Sequence, residues 1–460
     1  MNSTNNQLLV LGLGISGYAA AELALVNGYN ITVLDENDSP ELRERAATLK
    51  ERGASAVLDY SDSQSFKVNP DFVVISPGIG PGSSLWHVAE NCDCPVISEI
   101  EFAFRYVNCP IIAVTGTNGK STTVELINYC LQHSGYRSQA TGNVGFPLSE
   151  AVRKYRSLDY LVVEVSSFQL ERIQQFKPDV AVFLNLSPDH LDRHKSVEEY
   201  YETKTSLFSN MTDARNTVVR KDLLTNAAVK RKLPAESNPV TFSADEDEDN
   251  EFFLKDNQTL CQKTSDGSVQ VLCDRKDLRL RGRHNIENVL AAFAVGYCLD
   301  IQPETLRDAA THFPPHPHRL ELINVREGIQ YFNDSKATNP DSMARAIGAV
   351  ADETKGSIVL IAGGLDKGLD FSEIKPLLAE HVKEVELIGK CRQRLAEEWR
   401  DTVTCRTFVS LESAVENALE TAVYGDTVLL APGCASQDMF KDYAERGETF
   451  NEIVKRRIGE

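Results

Sequence analysis

Positive charge is scarce in this chain of 460 residues: 48 lysines and arginines face 67 aspartates and glutamates, for a net charge of −19. So acidic a balance argues against a nonspecific nucleic-acid binder and against docking on an anionic membrane, although it leaves room for local basic pockets. Cysteine arrays are missing too. The ten cysteines are scattered, with Cys92 and Cys94 the nearest pair along the chain, and no CxxC…CxxC pattern marks a metal knuckle. Reduced, mostly structural thiols are therefore expected, as in a cytosolic protein. The first basic residue is Arg43, which leaves no charged head for a secretory leader. The most apolar early stretch, Leu8–Val26, is interrupted by three glycines and Glu22, so it reads as strand, turn and helix rather than a membrane span. The expectation is a cytoplasmic monomer without nucleic-acid or membrane partners.

What is present is an ordinary globular mixture, 42% hydrophobic and 25% charged. At about 100–200 residues per domain, the length allows two to four domains, each able to bury a core. Val/Ile/Leu-rich runs recur at Gln7–Leu11, Ile31–Leu34, Phe72–Ile75, Ile111–Val114, Tyr160–Val165, Val180–Leu186, Ile358–Ala362, Val385–Ile388 and Thr427–Leu430. Continuous runs of this length suit strands buried on both faces of a parallel sheet, and helical patterns fall between many of them. The fold class is α/β, in three successive units. Boundaries near Phe104–Asn108 and at the helix-breaking Phe313–Pro317 divide the chain into 1–106, 107–314 and 315–460. The first and last read as Rossmann-like, and the middle one as a P-loop domain with a parallel sheet. Within it, Pro239–Leu280 reads as a small antiparallel excursion and Asp245–Glu251 as a solvated loop.

Two glycine loops carry the chemistry. Gly12-Leu13-Gly14-Ile15-Ser16-Gly17 follows a strand and opens a helix, and Asp35 ends the next strand. Such glycines let backbone approach a pyrophosphate at the positive end of a helix, and the acid suits a ribose hydroxyl. A nicotinamide dinucleotide, another nucleotide and a purely structural turn all remain open on this motif. The second loop, Gly116-Thr117-Asn118-Gly119-Lys120-Ser121-Thr122, lies between a buried strand and a helix with Val124, Ile127 and Leu131 on one stripe and Gly135 as its C-cap. It is a shortened P-loop, with Val114 where the first glycine would stand. Its amides would cradle ATP phosphates, Lys120 would bridge the β and γ oxygens, and Ser121 would ligate magnesium. A dehydrogenase needs only the first loop and a simple ATPase only the second. An ATP-driven enzyme acting on a nucleotide-carrying substrate needs both.

Three further residues stand out. Glu164 ends an otherwise apolar strand, where a carboxylate needs a partner; a magnesium ion is the sharper reading and a salt-bridged core acid the plainer one. His190 follows the next strand and is either a second ligand or an ordinary loop histidine. Lys204 falls in the middle of a helical stripe formed by Val197, Tyr200, Tyr201, Leu207 and Phe208. It is either a snorkelling side chain or a partly buried amine that can take up carbon dioxide as a carbamate.

In combination these segments resemble the Mur ligase family. Gly116–Thr122 looks like its ATP loop, Thr141-Gly142-Asn143-Val144-Gly145 like its TGN(I/V)G motif, and Glu164 with Ser166-Ser167-Phe168-Gln169-Leu170 like its ExSSFQL segment. His284-Asn285-Ile286-Glu287-Asn288 matches its HNxxN element and Pro317-His318-Arg319 the start of its third domain, while Asn333-Asp334-Ser335-Lys336-Ala337-Thr338-Asn339 points to the member that adds D-glutamate.

The resemblance implies that ATP phosphorylates the carboxylate of UDP-N-acetylmuramoyl-L-alanine, and that D-glutamate captures the acyl phosphate through a tetrahedral intermediate. It also implies two magnesium ions, held by Ser121, Glu164, His190 and carbamylated Lys204. Of these, Glu164, His190 and Lys204 act with Lys120 as the catalytic set. ATP contacts are implied for Gly116 to Thr122, Asn285, Asn288, Arg319, Asp334 and Lys336. The UDP substrate falls to Ile15, Ser16, Gly17, Asp35, Gly78, Asn143 and Ser166, so the first loop is reread as a UDP-diphosphate site. D-glutamate falls to His318, Thr338, Lys367, Ser436 and Tyr443. Asp35-Glu36 stands where the family commonly has Asp-Thr, and Tyr443 stands where phenylalanine is expected. A sibling ligase with another amino acid or carrier, and a nucleotide-sensing or dehydrogenase-like module, are the competing readings.

Overall fold

The computed structural model describes residues 6–61, 69–143, 145–187, 193–212, 216–234, 238–245, 249–314, 317–352, 354–365 and 368–459. His190 and Lys367 lie outside the described residues. The chain divides into two compact units, one of residues 1–275 with 287–310 and the other of residues 276–286 with 311–460.

The first unit holds two sheets. One contains β1 (Gln7–Leu11), β2 (Asn30–Leu34), β3 (Ser55–Val57), β4 (Phe72–Ile75) and β5 (Val96–Ser98), in the order β3-β2-β1-β4-β5. All its pairings are parallel. The strand order reverses between β1 and β4, where an open α/β sheet leaves a crevice for ligands. The other sheet runs β14-β13-β12-β11-β10-β9-β6-β8-β7. Its strands are β6 (Ile111–Thr115), β7 (Ser138–Gly142), β8 (Tyr160–Glu164), β9 (Val180–Phe183), β10 (Thr217–Arg220), β11 (Val240–Ser243), β12 (Phe252–Lys255), β13 (Thr259–Lys263) and β14 (Val269–Asp274). The expected antiparallel excursion is present and continues the main sheet. β12 pairs parallel with β11, and only β12-β13-β14 are antiparallel, so the hairpins lengthen the edge of the main sheet.

The second unit has one sheet, of β15 (Glu321–Arg326), β16 (Ile329–Asn333), β17 (Ile358–Gly363), β18 (Val382–Ile388), β19 (Thr404–Thr407) and β20 (Thr427–Leu430), in the order β15-β16-β20-β17-β18-β19. Only β15 runs antiparallel to its neighbour.

The apolar runs form central strands because both of their faces are covered. In β6 all five residues are buried, as are the four residues of β4, β9 and β20. The helix Lys120–His133 buries Val124, Ile127 and Leu131 as its spacing predicts, each contributing roughly 1.5–3 kcal/mol. The stripe around Lys204 starts on the helix Val197–Thr205 and continues through a tighter 3-10 turn, Ser206–Phe208, which buries Leu207 and Phe208. Of the acidic segment 245–251, residues 246–248 lie outside the described residues; Asp245 and Asp249 are exposed, whereas Asn250 is buried and Glu251 accepts a hydrogen bond from Thr241 N–H at 3.1 Å.

Within the first unit, two buried acids join the two α/β layers. Glu101 accepts hydrogen bonds from the backbone N–H groups of Gln174, Gln175 and Phe176 at 2.8–3.1 Å. Three amides directed at one carboxylate replace most of its lost hydration. Glu99 is less well served: one oxygen accepts from Ser149 N–H at 2.6 Å, and Oε2 is buried without a hydrogen-bond partner. Burial pushes the Glu99 carboxyl up to about 7, against the opposing pull of its hydrogen bonds from Ser149.

A buried acid raised in this way holds a proton in the folded chain that the unfolded chain releases between about pH 4.5 and 7. Its contribution to stability therefore falls as pH rises through that window. Glu99→Gln, which stays neutral, should gain on the wild type from pH 5 to pH 8, by at most about 3 kcal/mol. Urea unfolding of both proteins at the two pH values measures it, and a pH-independent difference would contradict this account.

Candidate functional site

The loop after β1 is held by three contacts. Gly12 N–H donates to Leu34 O at 2.8 Å, Leu13 N–H to Asp35 Oδ2 at 2.6 Å, and Ser76 Oγ to Gly12 O at 3.2 Å. Asp35 is buried, and its other oxygen accepts from Asn37 N–H at 2.9 Å. In this state Asp35 shapes the loop rather than facing solvent. The helix Ile15–Val26 starts directly after the loop, so its unpaired amides and positive dipole end face the crevice. Ile15 is exposed, Ser16 half-buried and Gly17 buried. A Cβ on Gly17 would fall 1.8 Å from Gly12 O, which is why only glycine lets the helix close on the strand there. Gly78 is exposed on the opposite lip. Glu36 turns to the N-terminus of the short helix Ser84–Glu90, accepting from Ser84 N–H at 2.5 Å.

The second loop leaves β6 at Gly116. Asn185 clamps it from the end of the neighbouring β9 region: its side chain accepts from Asn118 N–H at 2.8 Å and donates to Asn118 O at 3.0 Å, while its carbonyl accepts from Thr117 N–H at 3.1 Å. Thr117 Oγ1 donates to Ser187 O at 3.1 Å and lies 3.2 Å from Tyr200 Oη. Ser121 and Thr122 form the first turn of the helix Lys120–His133 and are half-buried. The Gly116 carbonyl accepts from two lysine side chains, Lys120 Nζ at 3.0 Å and Lys204 Nζ at 2.9 Å. Lys120 also donates to Thr117 O at 2.9 Å. Lys204 is 2% exposed and sits over the Tyr200 ring, 5.1 Å from its centroid. It is thus a buried amine and not a snorkelling one.

Glu164 ends β8, which pairs with β6 so that Glu164 lies beside Val114. Its Oε1 accepts from Asn143 Nδ2 at 3.0 Å, and its Oε2 is buried without a hydrogen-bond partner. An orphaned carboxylate oxygen next to a phosphate-type loop fits a hard divalent cation. Among the described residues no group of three His, Cys, Asp or Glu side chains forms a metal site of its own. Ser166 caps the short helix Ser167–Leu170 in a reciprocal pair with Gln169. Asn288 is buried against the loop, since a Cβ on Gly119 would fall 2.4 Å from its Oδ1.

In the second unit, Asp334, Lys336 and Ser436 follow the adjacent strands β16 and β20. Asp334 follows β16; burial pushes its carboxyl up to about 7, opposed by the Leu320 N–H and the Arg319 charge. Lys336 Nζ lies 3.8 Å from the centroid of the Tyr443 ring, so the tyrosine supplies a cation–π platform. His318 is buried, adopts a left-handed backbone (φ 62°), and its Nδ1 meets Asn333 Nδ2 at 3.1 Å. Ser436 follows β20 with its hydroxyl buried and without a hydrogen-bond partner. Thr338 is half-buried, and Asn285 Nδ2 donates to Arg281 O at 2.7 Å.

Sequence reasoning missed several supports. Arg193 forms a bidentate pair with Glu171 at 3.1 and 2.8 Å and donates to Pro77 O and Ile79 O, tying the first lip to the second sheet. Arg446, 1% exposed, donates to Ser335 Oγ, Ser335 O and Cys434 O. An arginine or asparagine in a loop or helix carries no periodic signal that would mark it.

Two nucleotide cradles at strand ends, one with a buried acid beside it, define a nucleotide-dependent α/β enzyme. Comparison with known proteins gives its kind. Residues 114–296 match the Mur ligase middle domain, and residues 318–434 match the glutamate ligase domain of Mur ligases. The chain is 35% identical over 465 residues to a UDP-N-acetylmuramoylalanine–D-glutamate ligase of Thermoanaerobacter pseudethanolicus, covering 99% of each chain. It is 36% identical over 454 residues to the protein of that name in Geobacter metallireducens, covering 99% of this chain and 98% of the other. Among solved structures, MurF of Acinetobacter baumannii superposes with a TM-score of 0.61 at 17% identity, over 93% of this chain and 90% of that one. UDP-N-acetylmuramate-alanine ligase MurC of Thermotoga maritima gives 0.57 at 17% identity, over 98% and 99%. The chain belongs to the Mur ligase family.

Gly119 has φ 83°, and its neighbour Asn288 fills the space where a Cβ would stand. Gly119→Ala should weaken ATP binding by about tenfold or more, since both the left-handed turn and Asn288 must move. Gly135→Ala is the control: its φ is 87° with nothing within 4 Å, so it should cost only about 1 kcal/mol of stability and leave ATP affinity unchanged. Calorimetric titration of both variants with ATP decides between them.

Proposed function

We propose that this protein is an ATP-dependent ligase that adds D-glutamate to UDP-N-acetylmuramoyl-L-alanine, a step in peptidoglycan precursor synthesis. The observation that carries this reading is that one compact unit bears two separate phosphate cradles at the ends of two sheets. One suits the diphosphate of a nucleotide-carried substrate and the other the phosphates of ATP. The named relatives, similar along their whole length, support D-glutamate as the amino acid.

In this reading Ile15, Ser16, Gly17 and Gly78 meet the UDP diphosphate, Asp35 fixes the loop that does so, and Asn143 and Ser166 position the muramoyl side. The amides of Gly116 to Thr122 and the Lys120 ammonium hold the ATP phosphates. Asn285, Asn288, Arg319, Asp334 and Lys336 complete the ATP contacts. His318, Thr338, Lys367, Ser436 and Tyr443 receive D-glutamate, and the orphaned Ser436 hydroxyl gains the hydrogen bond it lacks. Ser121 and Glu164 would hold one magnesium ion, with His190 and a carbamate on Lys204 serving a second. Magnesium, when bound, neutralises charge developing on the transferred phosphoryl group. Catalysis by the protein is otherwise positioning and electrostatics, because the attacking carboxylate and amine need only to be aligned and shielded from water.

The convergence of Lys120 and Lys204 on one carbonyl supports this reading, since it sets two amine side chains at the loop that would hold the phosphates. A carbamate keeps one N–H, which can still donate to Gly116 O.

Phosphate release should require ATP, UDP-N-acetylmuramoyl-L-alanine and D-glutamate together; release with L-lysine or diaminopimelate in place of D-glutamate would overturn the assignment. Lys204→Ala should lower kcat by about 10²-fold or more, and short carboxylates should restore part of it by occupying the vacated anionic site. A fully active Lys204→Ala enzyme would remove the carbamate.

A further inference from the structure

Cys391 and Cys434 are separated by 43 residues in sequence, yet their sulfurs lie 3.4 Å apart in the second unit. Both are buried, 3% and 2% exposed. Cys391 follows β18, and Cys434 lies in the loop after β20. Gly364 N–H donates to Cys391 Sγ at 3.3 Å, and Arg446 donates to the Cys434 carbonyl at 3.1 Å. The Gly364 N–H donated to Cys391 Sγ favours negative charge on that sulfur, while burial opposes it, so it is the short distance between the two sulfurs that marks the pair. Cytosolic disulfides, where they form, are mostly transient and regulatory.

We propose that Cys391 and Cys434 are a redox modification site, a thiol pair that peroxide converts to a reversible disulfide. The thiolate of Cys434 attacks one peroxide oxygen, the O–O bond breaks, and a sulfenic acid forms as hydroxide leaves and takes up a proton to become water. The Cys391 sulfur then attacks the sulfenic sulfur, forming the S–S bond and expelling a second water. Each sulfur gives up one electron and the peroxide gains two. A disulfide spans about 2.05 Å, so the sulfurs must approach by roughly 1.4 Å.

That approach moves a ligand loop. Cys434 is two residues before Ser436, and the segment is tied to the glycine loop after β17 by Gly363 N–H to Pro432 O and Leu365 N–H to Ala435 O, both 2.8 Å. Drawing Cys434 toward Cys391 displaces Ser436, whose carbonyl accepts from Met439 and Phe440 N–H at 3.1 and 2.9 Å. This effect on the amino-acid end rests on the D-glutamate reading above, whereas the cross-link itself does not.

The test treats the full-length wild-type enzyme with hydrogen peroxide and reads it in two ways. Mass spectrometry of the digest without reductant should find a peptide joining Cys391 to Cys434, lost on adding dithiothreitol. Kinetics should show the KM for D-glutamate raised by about tenfold to a hundredfold, the range in which a misplacement near 1 Å acts, with ATP affinity unchanged and full reversal by dithiothreitol. Cys391→Ser should keep basal activity, resist this KM shift and accumulate a sulfenic acid on Cys434 that dimedone traps. Peroxide that oxidises other cysteines while these two remain unlinked overturns the site. A cross-link that leaves the D-glutamate KM unmoved overturns its regulatory role, even where the three-substrate assay upholds the ligase.

Discussion

The carbonyl oxygen of Gly116 is the point on which the catalytic region turns. Lys120 reaches it from the helix that follows the loop, and Lys204 reaches it from a helix more than eighty residues later. Two lysine side chains thus gather at a loop whose backbone amides suit an anion. Asn185 and Thr117 fix that backbone, and Glu164 lies on the adjacent strand with one oxygen lacking a hydrogen bond.

Much of this was legible in the sequence because buried parallel strands and phosphate loops leave strong local marks. β1, β4 and β20 were read with their bounds intact, since each is a short apolar run between turn residues. β7 (Ser138–Gly142) was not read as a strand, because SQATG has no apolar run, and β19 (Thr404–Thr407) is a polar edge strand with the same silence. Lys204 was readable as an anomaly on an apolar stripe. Its partner was not, because no sequence pattern says that an amine will meet a carbonyl 88 residues away.

The candidate site shows the same division. Glycines, Lys120 and Glu164 belong to contiguous motifs and could be named in advance. The residues that hold those motifs in place are dispersed. Asn185, Arg193 and Arg446 act by hydrogen bonds to backbone carbonyls or amides that only the folded chain brings near. Asp35 shows the same division: its place at a strand end suits a ribose, while the contacts its two oxygens make with Leu13 and Asn37 are visible only in the folded chain.

The stitching between the first two sheets has a consequence for how such chains can be rearranged. Glu101 is satisfied by amides of residues 174–176, Glu99 by Ser149, and the carbonyls of Pro77 and Ile79 by Arg193. An amino-terminal segment grafted onto another sheet would keep these acids and carbonyls satisfied only where that sheet offers the same donors. Unless residues near 149, 175 and 193 travelled with it, the hybrid would bury charges with no one to answer them. Recombination along this lineage should therefore favour breakpoints elsewhere, and the first hundred residues should be inherited together with the sheet beside them.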